Sequence, residues 1–150
     1  MAHVVLLYHI IWRTKKSEKT INPIFERELY AYINGFCTEK QCRLFRIGGM
    51  EDHIHLLVSI RPDISISEFM QVLKSQTSHW MKENPSKYPL FKGWGSGYAA
   101  FSYSDRDKEI IRQYIMNQKE HHKKINFQEE YKNFLIEWGI DPTTDLFLKD

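Results

Sequence analysis

The sequence predicts an α+β fold built on a four-stranded antiparallel sheet. Three observations carry this. Strand-like and helix-like segments follow one another in the order β-α-β-β-α-β. Two further helical segments come after them. The chain has 150 residues, 42% hydrophobic and 27% charged, which is one domain's worth with ordinary globular composition. The order is the split βαβ, ferredoxin-like one, which puts two helices on one sheet face. The other face needs cover from the added helices or from a second subunit.

Each element has its own signal. His3–Trp12 is apolar and rich in Val, Ile and Tyr, as a buried strand is. Asn22-Pro23 supplies an N-cap and a first-turn proline, and Phe25, Leu29, Tyr32, Ile33 and Phe36 recur at helical spacing over 23–40. Cys42–Ile47 reads as a short strand, Gly48-Gly49 as a turn, and Asp52–Ile60 as the next strand. Ser65 and Glu68 form a capping box for a helix running to about residue 83. Residues 84–97, with Pro85, Pro89, Gly93, Gly95 and Gly97, read as a loop. Tyr98–Tyr103 is the fourth strand. Ser104 or Asp105 caps a helix to about His122, and Phe127–Gly139 is a last helix closed by its glycine.

Composition excludes several classes. The longest apolar runs are far too short to span a membrane, and the first residues lack a secretory signal layout, so a cytoplasmic protein is expected. Cys37 and Cys42 are too few for a disulfide framework and lack metal-finger spacing. The net charge of +2 hides an asymmetry: residues 126–150 carry six acids and two lysines, leaving the rest of the chain at +6. A basic body suits a polyanionic partner.

The sharpest motif is His53-Ile54-His55. On a strand, His53, His55, Leu57 and Ser59 share one face, and Ile54, Leu56, Val58 and Ile60 form a clean core on the other. The two imidazoles then lie side by side, roughly 7 Å apart at the backbone, within reach of one metal ion. Asp52 precedes them and is placed to orient a ring through its other nitrogen. An isolated His-x-His is more often a pair of half-exposed side chains; the apolar alternate face favours the metal reading.

Tyr114 and Gln118 are four residues apart on a helix and share a face. A tyrosine in such a place is usually an amphipathic edge residue. Here Arg106, Lys108, Arg112, Lys119, Lys123 and Lys124 make the surrounding helix basic and suited to phosphates. Together the two motifs make one chemical proposition. A divalent ion held by two histidines and an amide oxygen acts as a Lewis acid on a phosphodiester, and Tyr114 is the nucleophile.

His53-Ile54-His55 resembles the HUH motif, and Tyr114-Ile115-Met116-Asn117-Gln118 resembles the single-tyrosine motif of the small transposases of minimal bacterial insertion sequences. The resemblance covers nearly the whole chain, including Tyr8-His9-Ile10-Ile11-Trp12 and the basic residues after it. It implies a DNA transposase that cuts and rejoins single-stranded DNA through a 5′-phosphotyrosine. His53, His55 and Gln118 would bind Mg²⁺ or Mn²⁺, and Tyr114 would attack. It further implies an obligate homodimer, with the His pair of one subunit and the tyrosine helix of the other in each active site, acting on DNA hairpins near element ends. Residues 1–125 would be the HUH catalytic domain with its nucleophile helix. Residues 126–150 would add a helix and an acidic tail to the same domain. No nucleotide cofactor and no membrane partner are expected.

Two other readings compete. One is a non-catalytic nucleic-acid-binding module, since ferredoxin-like sheets bind single strands through exposed aromatics. Histidines hold the central strand instead, which counts against it. The other is an inactive metal-binding homodimer. Lesser candidates for DNA contact are the polar side of the second helix (Lys74, Ser75, Thr77, Ser78, His79) and Trp94, which would stack on a base or plug a dimer contact. His121 and His122, one turn beyond Gln118, read as solvent-exposed, with an approach to the metal or to a phosphate as the alternative.

Overall fold

A computed structural model describes residues 3–144. Strands β1 (Leu7–Arg13), β2 (Arg43–Met50), β3 (His53–Ser59) and β4 (Ala99–Tyr103) form one antiparallel sheet in the order β2-β3-β1-β4. Helices α1 (Glu26–Glu39) and α2 (Ile66–Lys82) connect the strands. Three more follow β4: α3 (Lys108–Met116), the single turn α4 (Gln118–His121) and α5 (Phe127–Glu137). The α+β, ferredoxin-like class is therefore present. Among these residues no helix is long and apolar enough to cross a membrane. The last acids of the expected tail, Asp145 and Asp150, lie outside the described residues.

Period-two alternation gives the sheet two apolar faces. Ile10, Trp12, Ile54, Leu56 and Val58 pack against Leu29, Ile33 and Phe36 of α1 and Phe69, Met70 and Leu73 of α2. On the opposite face Leu7 and Leu57 meet Ile111 and Ile115 of α3, while Ile11 and Phe101 meet Phe127, Tyr131, Phe134 and Leu135 of α5. Each such side chain contributes about 1.5–3 kcal/mol on burial. That burial, rather than helix propensity, holds short elements such as α3 and α5. The second face is thus covered by the chain's own added helices.

Two expected caps, Asn22 and Ser65, are present and Asn126 adds another, while Ser104 starts the segment after β4 without a side-chain cap bond among the described residues. Asn22 accepts the Ile24 amide at 3.0 Å, Ser65 the Glu68 amide at 3.1 Å, and Asn126 the Glu129 amide at 2.9 Å. Gly139, at φ 74°, follows α5.

Two expectations need correction. Gly48-Gly49 is not the turn: β2 runs through both to Met50, with Gly48 opposite His55 and Gly49 opposite Ile54. The reversal is at Glu51-Asp52. Their lack of side chains serves packing, because a Cβ on Gly48 would lie 2.8 Å from the Ile115 carbonyl oxygen. Second, the helix after β4 is not continuous to His122. It opens with a 3-10 turn, Asp105–Asp107, and α3 breaks at Asn117 (φ −94°, ψ 16°) before α4 resumes. Asparagine competes with the helical backbone for hydrogen bonds, which makes it a natural break point.

Candidate functional site

The site lies on the α3–α5 face of the sheet, over β3 and β1. Strand alternation points His53 and His55 the same way, and both are fully buried with ring centroids 5.0 Å apart. Ile11 stands opposite His55 and Arg13 opposite His53 across the β1–β3 ladder. The space above Gly48 lets α3 come down onto β2. Tyr114 then reaches the histidines, its ring 5.9 Å from that of His55. Gln118 is buried at the start of α4 and aims its carboxamide oxygen at His53 Nε2 (3.1 Å) and His122 Nε2 (3.0 Å).

The centre of this arrangement is Glu130 of α5, 2% exposed. One carboxylate oxygen lies 3.1 Å from His55 Nε2, 3.1 Å from His122 Nε2 and 3.3 Å from His53 Nε2. The other accepts from the Tyr114 hydroxyl and, at 2.9 Å, from the Gln118 amide, and lies 3.3 Å from His121 Nε2. The four expected residues, Tyr114, His53, His55 and Gln118, therefore converge on one carboxylate.

Sequence reasoning misses Glu130 and His9 and favours exposure for His121 and His122, and all four join the cluster. Glu130 was grouped with a solvated acidic tail. Its signal is position: Phe127, Glu130, Tyr131 and Phe134 fall at three- and four-residue spacing, so the acid sits within the apolar stripe. His122 was read as exposed, yet its side chain is 4% exposed and belongs to the cluster. His121, at 31%, touches Tyr114 and Glu130. The fourth is His9 on β1, whose Nε2 lies 2.8 Å from His55 Nδ1. Asp52 performs the expected orienting role, at 2.6 Å from His53 Nδ1.

The lesser candidates lie elsewhere. Trp94 packs against Trp12 and Phe91 and donates to the Thr77 hydroxyl at 2.9 Å, so it belongs to the core around the loop. Lys74 anchors the same loop by donating to the carbonyls of Gly95 and Gly97.

The electrostatics follow from burial and pairing. Burial opposes charge on His53, but hydrogen bonds to Asp52 and Glu130 outweigh it and raise its pKa to about 9. Burial works against Glu130 ionising, yet His55 and the bonds from His122 and His53 hold it well below the usual carboxylate range. His55 and His9 are pushed down, chiefly by burial. Burial and the Glu130 charge push the Tyr114 phenol up, so it stays protonated until its surroundings change.

His53, His55, His122 and Glu130 each offer a ligand atom, and these atoms lie within 4.8 Å of one another. Three imidazoles and a carboxylate fit one divalent ion, with Gln118 adding a further oxygen. Such a nitrogen-rich set suits Mn²⁺ or another transition ion better than Mg²⁺, which prefers oxygen. Beside the cluster, a cavity of about 470 Å³ opens between α3 and α5, walled by Tyr103, Ile110, Ile111, Tyr114, His121 and Phe134 among others. Tyr114 is thus reachable from outside while the His pair is sealed.

Comparison with known proteins agrees with this geometry. Residues 2–118 match the family described as "Transposase IS200 like". A transposase for the insertion sequence element IS200 from Salmonella typhimurium (strain LT2) is 28% identical over 120 residues, covering 77% of this chain and 78% of that one. The ISDra2 transposase TnpA of Deinococcus radiodurans is 26% identical over 117 residues, covering 75% and 84%. A REP-associated tyrosine transposase, solved bound to a REP hairpin, shares the fold at TM-score 0.63 and 12% identity, covering 83% of this chain and 73% of that one.

Proposed function

The chain belongs to the IS200-like transposase family, and from that premise we propose that it cuts and rejoins single-stranded DNA with Tyr114 as nucleophile. The observation that carries the reading is the convergence of the Tyr114 hydroxyl, His53, His55 and Gln118 on the single point held by Glu130. That point is built to hold an anion against imidazoles and a phenol. A scissile phosphate needs the same neighbours.

In this reading His53, His55 and Gln118, with His122, hold Mn²⁺ or Mg²⁺. An ion held there would supply Lewis-acid stabilisation of the phosphate charge. The Tyr114 oxygen forms a bond to phosphorus, and the bond from phosphorus to the 3′ oxygen breaks. The phenol proton leaves to His121 Nε2, 3.3 Å from the hydroxyl. The leaving 3′ oxygen takes up a proton and is free to attack another phosphotyrosine. Loading DNA requires the Glu130 carboxylate to release Tyr114, because two anions cannot share that place.

The substrate class is single-stranded DNA presented by a hairpin at an element end, in the cytoplasm. The resemblance implies a homodimer with shared sites. Within the one chain, α3 carries Tyr114 onto the His pair of the same chain, which favours a homodimer whose subunits each use their own tyrosine. The alternative of an open RNA-binding sheet is disfavoured because α3 and α5 bury the face on which bases would stack.

The deciding test is denaturing electrophoresis of protein incubated with 3′-labelled single-stranded element-end DNA and Mn²⁺. Label should move onto wild-type protein and not onto Tyr114→Phe. Adduct at wild-type levels in Tyr114→Phe would assign the attack to another residue. Cleavage with no adduct would mean hydrolysis.

A further inference from the structure

We infer that His9 is a positioning residue that fixes the ring orientation and tautomer of His55. The inference rests on the reading that His55 ligates a metal through Nε2. The geometry begins on β1, where alternation puts His9 on the same sheet face as Ile11, directly beside the β3 histidines. Its Nε2 lies 2.8 Å from His55 Nδ1, and the two rings stack at 5.0 Å and 28°. Asp52 does the corresponding work for His53. Each motif histidine therefore has a partner on the nitrogen that faces away from the cluster, a carboxylate in one case and a neutral ring in the other.

The surroundings of His9 argue against a packing role. It is fully buried among the rings of Tyr103, Tyr114 and Phe134. Its other nitrogen, Nδ1, has no hydrogen-bond partner among the described residues. A phenylalanine would fill this aromatic place without an unpaired Nδ1 of its own, but it would take away the partner of His55 Nδ1. Among the described residues the one hydrogen bond that the imidazole makes is to His55.

Proton bookkeeping gives the pair a definite behaviour. With His55 Nε2 donating to Glu130, its Nδ1 has a lone pair and accepts from His9 Nε2–H. For His55 to offer its Nε2 lone pair, its proton must sit on Nδ1. His9 Nε2 must then be the acceptor, with the His9 proton on Nδ1. Two rings share two protons in both arrangements, so no proton is gained or lost by the pair. His9 supplies whichever half of the hydrogen bond His55 lacks.

The test uses the full chain with ¹⁵N-labelled histidine and Zn²⁺, a diamagnetic probe. Ring nitrogen spectra should show His55 protonated at Nε2 and His9 at Nε2 without metal. Both protons should move to Nδ1 on addition of Zn²⁺. His9→Phe should weaken Zn²⁺ binding by calorimetry roughly 10- to 100-fold, and His9→Gln, whose amide can donate or accept, should recover most of it. His9→Phe should also alter the His55 tautomer ratio in metal-free protein. An unchanged ratio together with Zn²⁺ affinity within twofold of wild type would overturn the role of His9. His55→Ala binding Zn²⁺ as tightly as wild type would instead overturn the metal reading, and the metal-free spectra would still decide whether His9 sets the tautomer.

Discussion

The Tyr114 hydroxyl donates to the buried carboxylate of Glu130, and this one contact ties α3 to the histidine cluster through α5. The carboxylate is surrounded by five polar side chains besides the phenol. A buried anion in such company is stabilised by its partners and they by it. Removing it leaves several buried groups unpaired at once.

Glu130→Ala should therefore destabilise metal-free protein by about 3–5 kcal/mol, the range for breaking a buried charge pair. Glu130→Gln keeps hydrogen-bonding atoms in place and should cost less. Urea denaturation with the metal chelated reads both. A loss under 1 kcal/mol in the alanine variant would mean that water replaces the carboxylate without penalty. Glu130 would then not organise the site.

The same cluster gives metal-free protein a stability maximum near pH 6.5. His53 is raised from 6.5 to about 9, so its contribution is complete below 6.5 and is lost as pH climbs through 9. His55 and His9 are lowered from 6.5, so stability falls as pH drops below 6.5 and the unfolded chain takes up protons that they refuse. Glu130, lowered from 4.5, adds a further loss below 4.5. The alkaline limb is on the order of 3 kcal/mol, or roughly 6–12 °C in Tm. Saturating Mn²⁺ should flatten that limb, because the ion takes the place of the His53 proton. Thermal scans from pH 4 to 9.5 check this; a Tm that rises steadily to pH 9 without metal would contradict it.

What was legible in the sequence depended on how local the signal was. Two-residue alternation sufficed for His53, His55 and their core-facing neighbours, and four-residue spacing for Tyr114 and Gln118. Asp52 adjoins its partner. His9 and His55 are 46 positions apart, and their contact exists only because the ferredoxin-like order places β1 beside β3. That order was foreseen, so His9 was within reach of the same alternation argument. Glu130 meets the cluster through the packing of α5, which depends on Phe127, Phe134 and the sheet together. Gly48-Gly49 misled because glycine marks both turns and close approaches, and only the position of Ile115 separates the two.

Gly48→Ala tests whether that approach sets the position of the nucleophile. The new methyl group would lie 2.8 Å from the Ile115 carbonyl oxygen, a backbone atom that moves only if α3 moves. Overpacking of this kind costs about 1–3 kcal/mol. A shift of about 1 Å in Tyr114 should lower adduct formation on the order of 100-fold. Gly35→Ala on α1, where none of the described residues lies within 4 Å of the added carbon, is the control. It should be stabilising by roughly 0.5–1 kcal/mol, with adduct formation unchanged. Equal adduct yields from the two variants would separate the glycine from the placement of α3.

Whether each subunit works alone is decided by mixing two inactive variants. Tyr114→Phe retains the His pair and lacks the nucleophile; His55→Ala retains the nucleophile and lacks a ligand. In the structure the Tyr114 ring packs against His9, His55 and Phe134 of its own chain, and its hydroxyl bonds to its own Glu130. Neither variant alone can then assemble a site, and neither can a heterodimer. The mixture should form no more covalent adduct than the sum of its parts. Exchange of α3 between subunits would instead give the heterodimer one intact site, with the tyrosine of the His55→Ala chain reaching the histidines of the Tyr114→Phe chain. Adduct restored to roughly a quarter of the wild-type level would reveal that exchange, since a random mixture is half heterodimer and each heterodimer holds one of two sites. The variants also tell which chain is labelled: attaching a mass tag to the His55→Ala chain should leave the tagged band free of DNA if the site is closed within one subunit.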